Sequence, residues 1–316
     1  MIFQKTFLLV LASLISFGLA AQGTFGGGSG TSANPYVISA AAHFTELSDS
    51  VANGHTYAGN YFVVSADIDF NNQNHTPIAN NFEATITSFN GIIDGQNHTL
   101  TNFKSTFTEY GVGLFGVIGV GAEVRNIHIE SGTVSGSGLV GGLVGFNCGG
   151  AITGCSTGSQ LTVSTSVYYG GGIVGGNDVN STITRCVNRA RVKGSNSNAM
   201  NIGGVVGANN GTISECCNFG QISGATYVGG ITSYSDEGNI IRNCFNGGAV
   251  SATAEYAGGI AGAFMTTVPN TIENCYNYGA VTSPSSAAAI CAYAGASDIF
   301  TNNHFDQQTS GASDSH

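Results

Sequence analysis

Short apolar segments that begin with paired glycines recur along this 316-residue chain, separated by polar loops. Each copy begins 26 to 32 residues after the previous one. The copies read GGLVG at 141–145, GGIVG at 171–175, GGVVG at 203–207, GGITS at 229–233, GGIAG at 258–262 and, in degenerate form, AAICA at 288–292. A repeat of this length is typical of solenoids, so the pattern predicts a stack of similar coils.

A second repeated phrase, I-x-x-C-x-N, follows each glycine phrase and leads through a small-residue turn to one more apolar position. Between residues 110 and 300 the apolar positions show no helical period, and they form short bursts punctuated by Gly, Asn and Ser. We therefore predict about three short strands per repeat, with the glycine phrase and the I-x-x-C-x-N phrase each forming a strand. That content fits one coil of a parallel β-helix, because a propeller blade needs four longer strands and about 40–50 residues.

Equivalent residues of successive coils stack about 4.8 Å apart in such a fold. Two columns follow from the second phrase. We predict a structural asparagine ladder and an inward column of thiols that act as small hydrophobic side chains. The ladders comprise Asn188, Asn218, Asn246 and Asn277, and Cys155, Cys186, Cys216, Cys244 and Cys275. Disulfide bonds remain an alternative for the thiols, with Cys148–Cys155 the first candidate pair.

The N-terminal third contains one predicted helix, over residues 39–54. Ser39 is a suitable cap, Gly54 a suitable end, and an apolar stripe that includes Phe44 and Leu47 faces one side. We expect this helix to cover the exposed edge of the first coil. Alternating apolar positions from Phe62 to Phe70 predict a strand with one buried face.

Residues 1–21 have the pattern of a secretory signal peptide, with Lys5, an apolar run from Phe7 to Leu19 and small residues at the end. No cysteine stands at the expected cleavage point, so no lipid anchor is expected there. We expect a cap helix and the first coils over residues 22–110, the repeat β-helix over 111–311 and a tail over 312–316. The expected location is extracellular or at the cell surface.

The charge balance narrows the classes of partner. The chain has 8 Lys and Arg residues against 18 Asp and Glu, a formal net charge of −10. This argues against binding nucleic acid or an anionic membrane surface, and no second stretch predicts membrane insertion. The histidines are scattered and no CxxC pair accompanies the cysteines, so no metal site or cofactor is expected.

A catalytic interpretation rests on a few acidic residues near the N-terminus. Asp67-x-Asp69-x-Asn71 has only the opening spacing of a calcium loop. Asp94 and His98 form a candidate acid–base pair, so a polysaccharide lyase or hydrolase that uses Asp67, Asp69, Asp94 and His98 is the alternative function. The other charges show no catalytic constellation, and we expect no enzymatic activity.

A binding interpretation rests on the position two residues before each glycine phrase. That column contains Leu139, Tyr169, Asn201, Tyr227 and Tyr256, and the last four form the predicted binding face. Tyrosine offers an apolar face and a polar tip, so an outward column would suit sugar rings or a protein surface. A buried aromatic stack is the alternative, and the period alone does not decide whether the column points inward or outward.

The two phrases resemble the GLUG repeat of secreted and surface proteins of Bacteroidetes-type bacteria, which also occurs in IgA-cleaving metallopeptidases. Further segments of similarity are GTFGGGSGTSANPYVIS at 23–39, YFVVSADIDF at 61–70 and FNGIIDGQNHTLTNF at 89–103. The resemblance implies an all-β, right-handed parallel β-helix and an adhesin-like protein. The HExxH zinc motif of the peptidases is absent from this sequence. We therefore expect a non-enzymatic protein that binds glycans or host and extracellular protein surfaces, with a passive structural spacer as a further alternative.

Overall fold

The chain forms a parallel β-solenoid of about nine turns, which confirms the predicted fold class. The structure is a computed structural model and describes residues 24–80 and 87–313. The predicted signal peptide and the last residues of the predicted tail lie outside these ranges. Successive partners in the asparagine column are 30, 28 and 31 residues apart, which is the length of one coil.

Sheet 1 contains ten parallel strands, one from each successive coil. One position in these strands forms a column of buried side chains, which runs from Tyr36 and Phe62 through Ile93, Ile183 and Ile213 to Ile272. The strands are Tyr36–Ile38, Tyr61–Val64, Ile92–Asp94, Glu123–Arg125, Ala151–Thr153, Thr182–Thr184, Thr212–Ser214, Ile240–Arg242, Thr271–Glu273 and Ile299–Thr301.

Sheet 2 follows sheet 1 within each coil and is broken into shorter pieces. In two coils the pieces merge into the long strands His128–Gly141 and Ser156–Gly171, which pair along most of their length with register shifts. The remaining strands are Ile68–Asp69, Thr99–Thr101, Phe103–Thr106, Tyr110–Val112, Val187–Asn188, Arg191–Gly194, Met200–Gly203, Cys217–Asn218, Ile222–Gly224, Val228–Gly229, Phe245–Asn246, Val250–Ala252, Tyr256–Gly258, Tyr276–Asn277, Val281–Thr282, Ser286–Ala288 and His304–Phe305.

Sheet 3 completes the coil with seven parallel strands. Its inward positions are occupied by Val144, Val174, Val206 and their equivalents, all buried. The strands are Phe115–Ile118, Val144–Asn147, Val174–Asn177, Val206–Asn209, Thr232–Ser235, Ala261–Phe264 and Cys291–Tyr293.

Both repeated phrases form corners rather than the single strands that the sequence predicts. The chain turns between Thr182–Thr184 and Val187–Asn188, so the I-x-x-C-x-N phrase spans the corner from sheet 1 to sheet 2. The residue before the ladder cysteine has a left-handed backbone there, with φ 54° at Arg185 and 55° at Glu215. The corner adds one residue to the alternation: Thr184 and Arg185 both stand between the buried Ile183 and Cys186, whereas only Val187 separates Cys186 from the buried Asn188.

The glycine phrase forms the corner from sheet 2 to sheet 3, and its second glycine packs against the asparagine ladder. A Cβ atom at Gly204 would lie 2.5 Å from the side-chain amide carbon of Asn218 and 2.0 Å from the carbonyl oxygen of Gly230. Gly172 stands in the same relation to Asn188, at 2.2 Å. The two phrases therefore recur together because they are in contact across the coil, although they are separated in sequence.

The predicted N-terminal helix is present as α1, Ala41–Ala52. Phe44, Leu47 and Val51 are fully buried against the first coils, so the helix covers that end of the solenoid as expected. Ser39 does not cap it: the N-cap is Ala40, which makes no side-chain cap hydrogen bond. A second helix, α2, spans Gln307–Ser310 and is capped by Asp306.

The strand predicted from Phe62 to Phe70 is two strands on two different sheets. Tyr61–Val64 belongs to sheet 1 and Ile68–Asp69 to sheet 2. Phe62, Val64, Ile68 and Phe70 are all buried, so the predicted inward face is retained through the bend. Within the described residues, no helix has the length and apolar character needed to cross a bilayer.

Candidate functional site

The asparagine column is an internal feature of the solenoid. All four of its residues are fully buried: Asn188, Asn218, Asn246 and Asn277. The Nδ2 atom of each of the first three donates to the Oδ1 atom of the next asparagine in the column, at 2.7–2.8 Å. Each side chain also bonds to the backbone two residues ahead; Asn218 Oδ1, for example, accepts from the Gly220 N–H. The structure therefore gives these side chains a role in holding the coils together.

A second asparagine column, on sheet 3, escaped the sequence analysis. Asn147 donates to Asn177 at 2.9 Å, and Asn177 donates to Asn209 at 2.7 Å. All three are buried. In the phrases GGLVGFN, GGIVGGN and GGVVGAN the asparagine always stands at the seventh position, and this shared spacing could have predicted the column.

The five ladder cysteines are buried and carry free thiols, as does Cys148. Burial raises the pKa of Cys216 and Cys244 well above the ordinary thiol range. Cys148 lies in a loop with its sulfur 3.9 Å from Asp178, while Cys155 is fully buried, so the suspected pair is not joined. High pKa values and burial give the column little thiolate, which is the reactive form.

The acidic residues of the alternative catalytic interpretation are held as hydrogen-bond acceptors. His98 pairs with Asp67 at 3.2 Å rather than with Asp94. Burial opposes ionisation of Asp94, but hydrogen bonds from Asn126, Gln96 and Arg125 outweigh it and lower the pKa of this carboxyl. Hydrogen bonds from the Thr99 N–H and His98 lower the pKa of Asp67, and bonds from Asn102 and the Asn71 N–H lower the pKa of Asp69. Carboxyl groups with lowered pKa values do not suit the general acid of a glycosidase.

A shallow depression lies over the same part of sheet 1 and contains two carboxylates. It is lined in part by Asp94, Glu123, Arg125 and Arg185. Arg125 binds both acids, through Nε to Asp94 at 3.1 Å and through Nη1 to Glu123 at 3.4 Å. The two carboxylates therefore converge on a cation of the chain itself.

Another polar cluster lies at the start of sheet 2 and carries no sequence motif. His128 Nδ1 lies 2.7 Å from Ser156 Oγ, and its Nε2 lies 2.9 Å from Glu130 Oε2. His128 and Ser156 are direct partners in adjacent coils. Because the Ser156 N–H already donates to the Ile127 carbonyl, it is not free to stabilise an oxyanion. We interpret the cluster as hydrogen bonds between neighbouring coils.

The tyrosine column lies at the corner from sheet 2 to sheet 3 and joins a larger aromatic surface, here called the tyrosine ridge. Tyr227 and Tyr256 stack with centroids 5.6 Å apart and planes 6° apart, and Tyr227 also contacts Tyr234 at 5.9 Å. Tyr293 packs edge-on against Tyr256 at 5.4 Å. The ridge comprises Tyr110, Tyr168, Tyr169, Tyr227, Tyr234, Tyr256 and Tyr293.

Every tyrosine of the ridge is at least partly exposed to solvent. Tyr293 is 44% exposed, Tyr110 41% and Tyr168 37%, while Tyr227 and Tyr256 are half-buried. The sequence analysis identified the corner column but missed Tyr234 and Tyr293, which belong to an adjacent outward column of sheet 3. Both stand five positions after the first residue of their repeat phrase, and this shared spacing could have predicted that they lie in one column.

Carboxylates lie beside the ridge. Burial raises the pKa of Tyr169 and Tyr234, and the negative charge of Asp236 raises it further. Burial also raises the pKa of Tyr227, with a contribution from Glu255. The phenols therefore stay protonated and present hydroxyl tips next to negative charge.

Asn201 belongs to the predicted binding face but differs from its neighbours. It is 5% exposed, and its Oδ1 is buried without a hydrogen-bond partner among the described residues. It stands between Tyr169 and Tyr227 in the corner column. The structure thus brings all four predicted residues to one surface but buries one of them.

A second aromatic surface lies at the start of sheet 2. Phe245 contacts Phe219 at 5.6 Å, Tyr276 at 5.7 Å and Tyr278 at 5.1 Å, and the Arg189 guanidinium lies 5.3 Å from the Phe219 ring centre. Phe219, Tyr276 and Tyr278 are each exposed to solvent. Substitutions in this patch can therefore serve as a control for substitutions in the ridge.

No family model matches the chain, so the GLUG assignment remains a resemblance. One relative is "Putative Gly-rich membrane protein" of Evansella cellulosilytica, 32% identical over 151 residues, covering 45% of this chain and 16% of the relative. Another is "Halomucin" of Haloquadratum walsbyi, 31% identical over 254 residues, covering 77% of this chain. The chain spans only 2% of the halomucin length, so these relatives are far longer proteins.

Among solved structures, the chain resembles a "putative immunoglobulin A1 protease" from Bacteroides ovatus. The TM-score is 0.59 at 23% identity, covering 90% of this chain and 78% of the other. At this identity the similarity shows the shared solenoid fold and nothing of activity.

Proposed function

We propose that this chain is an extracellular recognition module whose tyrosine ridge binds polysaccharide. The observation that carries the proposal is the stacked pair Tyr227–Tyr256, continued by Tyr293 and Tyr234 on an accessible edge of the solenoid. Aromatic faces with polar tips suit the alternating apolar and hydroxyl-bearing surfaces of a sugar ring. The regular coils repeat such faces along one line, which matches the repeating form of a polysaccharide.

The extracellular part of the proposal rests on different support. The first 21 residues have the pattern of a signal peptide, and the protein is acidic. The names of the two relatives, a membrane protein and a halomucin, agree with a surface location. We expect the module to bind sugars without cleaving them, because its candidate acids are occupied by neighbouring donors.

A glycan array with the chain from residue 22 onward tests the proposal. The test variant combines Tyr169→Ala, Tyr227→Ala and Tyr256→Ala. The matched control combines Phe219→Ala, Tyr276→Ala and Tyr278→Ala on the second aromatic surface. We expect polysaccharide binding that the ridge variant loses by at least about tenfold and the control retains.

Circular dichroism establishes whether both variants keep the solenoid. Should the triple variant unfold, Tyr256→Ser replaces it, because Ser286 occupies the same column in the next coil. No binding to any glycan, or equal loss in both variants, contradicts the proposal. Binding of an extracellular protein in place of glycans would assign the ridge to protein recognition.

A further inference from the structure

The tyrosine ridge has a gap that is one coil wide. The coil between those of Tyr169 and Tyr227 carries Asn201 and Ala208 in the two outward columns, where the next coil carries Tyr227 and Tyr234. With coils about 4.8 Å apart, the coils of Tyr169 and Tyr227 are separated by about 9.6 Å. A sugar ring stacked between two aromatic faces needs about 8 Å, because its mean plane lies about 4 Å from each face.

The gap contains a buried polar group without a partner among the described residues. Asn201 is only 5% exposed, and no donor among residues 24–80 and 87–313 bonds to its Oδ1. A buried carbonyl oxygen without a donor is unfavourable, so a donor supplied by a ligand would be favoured there. Binding therefore requires the Asn201 side chain to rotate so that this oxygen reaches the surface.

A carboxylate stands beside the gap in a fixed position. Asp236 Oδ1 accepts from Asn210 Nδ2 at 2.9 Å, and the Asp236 N–H donates to Asn210 Oδ1 at 3.3 Å. Asp236 follows Tyr234 by two residues, and its bond with Asn210 joins it to the coil of the gap, in which Asn210 follows Ala208 by two residues. Its negative charge also raises the pKa of Tyr169 and Tyr234. The bond from Asn210 leaves Asp236 Oδ2 available to a ligand.

The C-terminal part of the chain is poor in cations that could neutralise this carboxylate. From residue 194 onward Arg242 is the single Lys or Arg in the sequence, and it lies on sheet 1. Glu255 adds a second carboxylate near Tyr227. Aromatic faces attract cations through their quadrupole, so rings, carboxylates and an unsatisfied carbonyl oxygen together favour a positively charged hydrogen-bond donor.

We propose that the gap between Tyr169 and Tyr227 is a subsite for a sugar that carries a protonated amino group. The ammonium lies between the aromatic faces, pairs with Asp236 and donates to Asn201 Oδ1. This inference rests on the proposed polysaccharide function and names the glycan class: polymers with free amino sugars, such as partly or fully deacetylated chitin.

Isothermal titration with three tetrasaccharides tests the subsite: the glucosamine tetramer, the N-acetylglucosamine tetramer and the glucose tetramer. The titrations are run at about pH 6, where an aliphatic amine is protonated, and at about 0.15 M salt. We expect the chain to bind the glucosamine tetramer about tenfold more tightly than the other two. Asp236→Asn removes this preference, so that the glucosamine tetramer binds no more tightly than the two neutral tetramers.

The adjacent carboxylate supplies the matched control. Glu237→Gln removes an exposed negative charge at the next residue of the same loop, and we expect this variant to retain the preference.

Equal affinity for the three tetramers overturns the subsite while leaving the polysaccharide function intact. A preference that Asp236→Asn and Glu237→Gln reduce equally overturns it too, because it then reflects general attraction to an acidic protein. Failure of all three tetramers to bind, together with an empty glycan array, overturns the proposed function itself.

Discussion

Asn218 shows how one repeated side chain stabilises a solenoid. It lies in the middle of the asparagine ladder and is fully buried. Its Nδ2 donates to Asn246 Oδ1 and to the Gly220 carbonyl, and its Oδ1 accepts from Asn188 Nδ2 and the Gly220 N–H. Each buried asparagine of this kind therefore satisfies groups of the neighbouring coils and of its own turn.

Asn218→Ala is expected to lower the free energy of unfolding by about 3–5 kcal/mol, because it leaves several buried donors and acceptors unpaired at about 1–3 kcal/mol each. Urea unfolding followed by circular dichroism measures this loss. Asn198→Ala, at an exposed position, should change it by less than about 0.5 kcal/mol. Equal stability of the two variants would show that the ladder is dispensable.

The left-handed corner after each strand of sheet 1 also depends on single residues. Asn126, Asn243, Asn274 and Asn302 occupy it, with φ values of 55°, 54°, 53° and 52°. Glu215 stands in the same column with φ 55°. A glutamate tolerates this conformation less well than an asparagine, whose short side chain is suited to it.

Glu215→Asn should therefore stabilise the chain, by roughly 0.5–1 kcal/mol, through relief of backbone strain. The Glu215 side chain is exposed, so little is lost with it. Thermal unfolding measures the effect, and Glu237→Asn, an exposed position without a left-handed backbone, serves as the comparison. A lower melting temperature for Glu215→Asn contradicts the strain argument.

Among the structural elements, α1 and the first coils depend on buried aromatic packing around His75. This histidine is 4% exposed, lies against the rings of Phe44, Phe70 and Phe103, and its Nε2 lies 3.1 Å from the Leu114 carbonyl. Burial lowers the pKa of His75 from 6.5 to about 4. The neutral imidazole is thus the form that the folded cap accommodates.

Because the unfolded chain binds a proton to His75 at higher pH than the folded chain, this packing contributes its full stability above about pH 6.5. The contribution is lost as the pH falls towards 4, and the loss is roughly 3 kcal/mol. Urea unfolding at about pH 7, 5.5 and 4.5 measures the effect. The free energy of unfolding should fall more steeply with decreasing pH for the natural chain than for His75→Gln. His304→Gln, at an exposed histidine, should leave the slope unchanged. Identical slopes for all three would exclude His75 as the acid-sensitive group.

Over the length of the molecule, each coil contacts mainly its neighbours, as in other solenoids. The asparagine and cysteine columns, the apolar column of sheet 1 and the glycine corners all repeat with the coil. A complete coil is consequently a unit that can be removed without changing the register of the rest.

Deletion of residues 217–244 joins Cys216 directly to Phe245 and removes the 28 residues that separate Asn218 from Asn246. We expect this variant to fold, because Asn188 then meets Asn246 in the same column. Deletion of about half a coil, residues 217–230, should prevent folding, since it places residues of one sheet against those of another. Far-UV circular dichroism and the cooperativity of thermal unfolding distinguish the two. Folding of both variants would contradict the requirement for coil register.

The coil architecture of this protein could be predicted from its amino-acid sequence. The period set the coil length, the apolar bursts indicated strands, and the repeated Cys-x-Asn phrase indicated buried columns, because stacked coils put equivalent residues in similar surroundings. The same reasoning located the column of Tyr169, Tyr227 and Tyr256. It could not show that Ser39 leaves the helix uncapped, and it interpreted both phrases as strands although the three-residue step from Ile183 to Cys186 interrupts the alternation of a strand.

The direction of each side chain and the contacts between distant positions emerged only from the folded chain. Tyr234 and Asp236 join the ridge because sheet 3 runs beside the corner column, and the contact of Gly204 with Asn218 depends on how far the coil closes. The stacking of coils likewise brings His98 to Asp67, 31 residues earlier in the chain, and not to Asp94. Orientation at a corner is set by backbone angles and by the neighbouring coil, and a one-dimensional period contains neither.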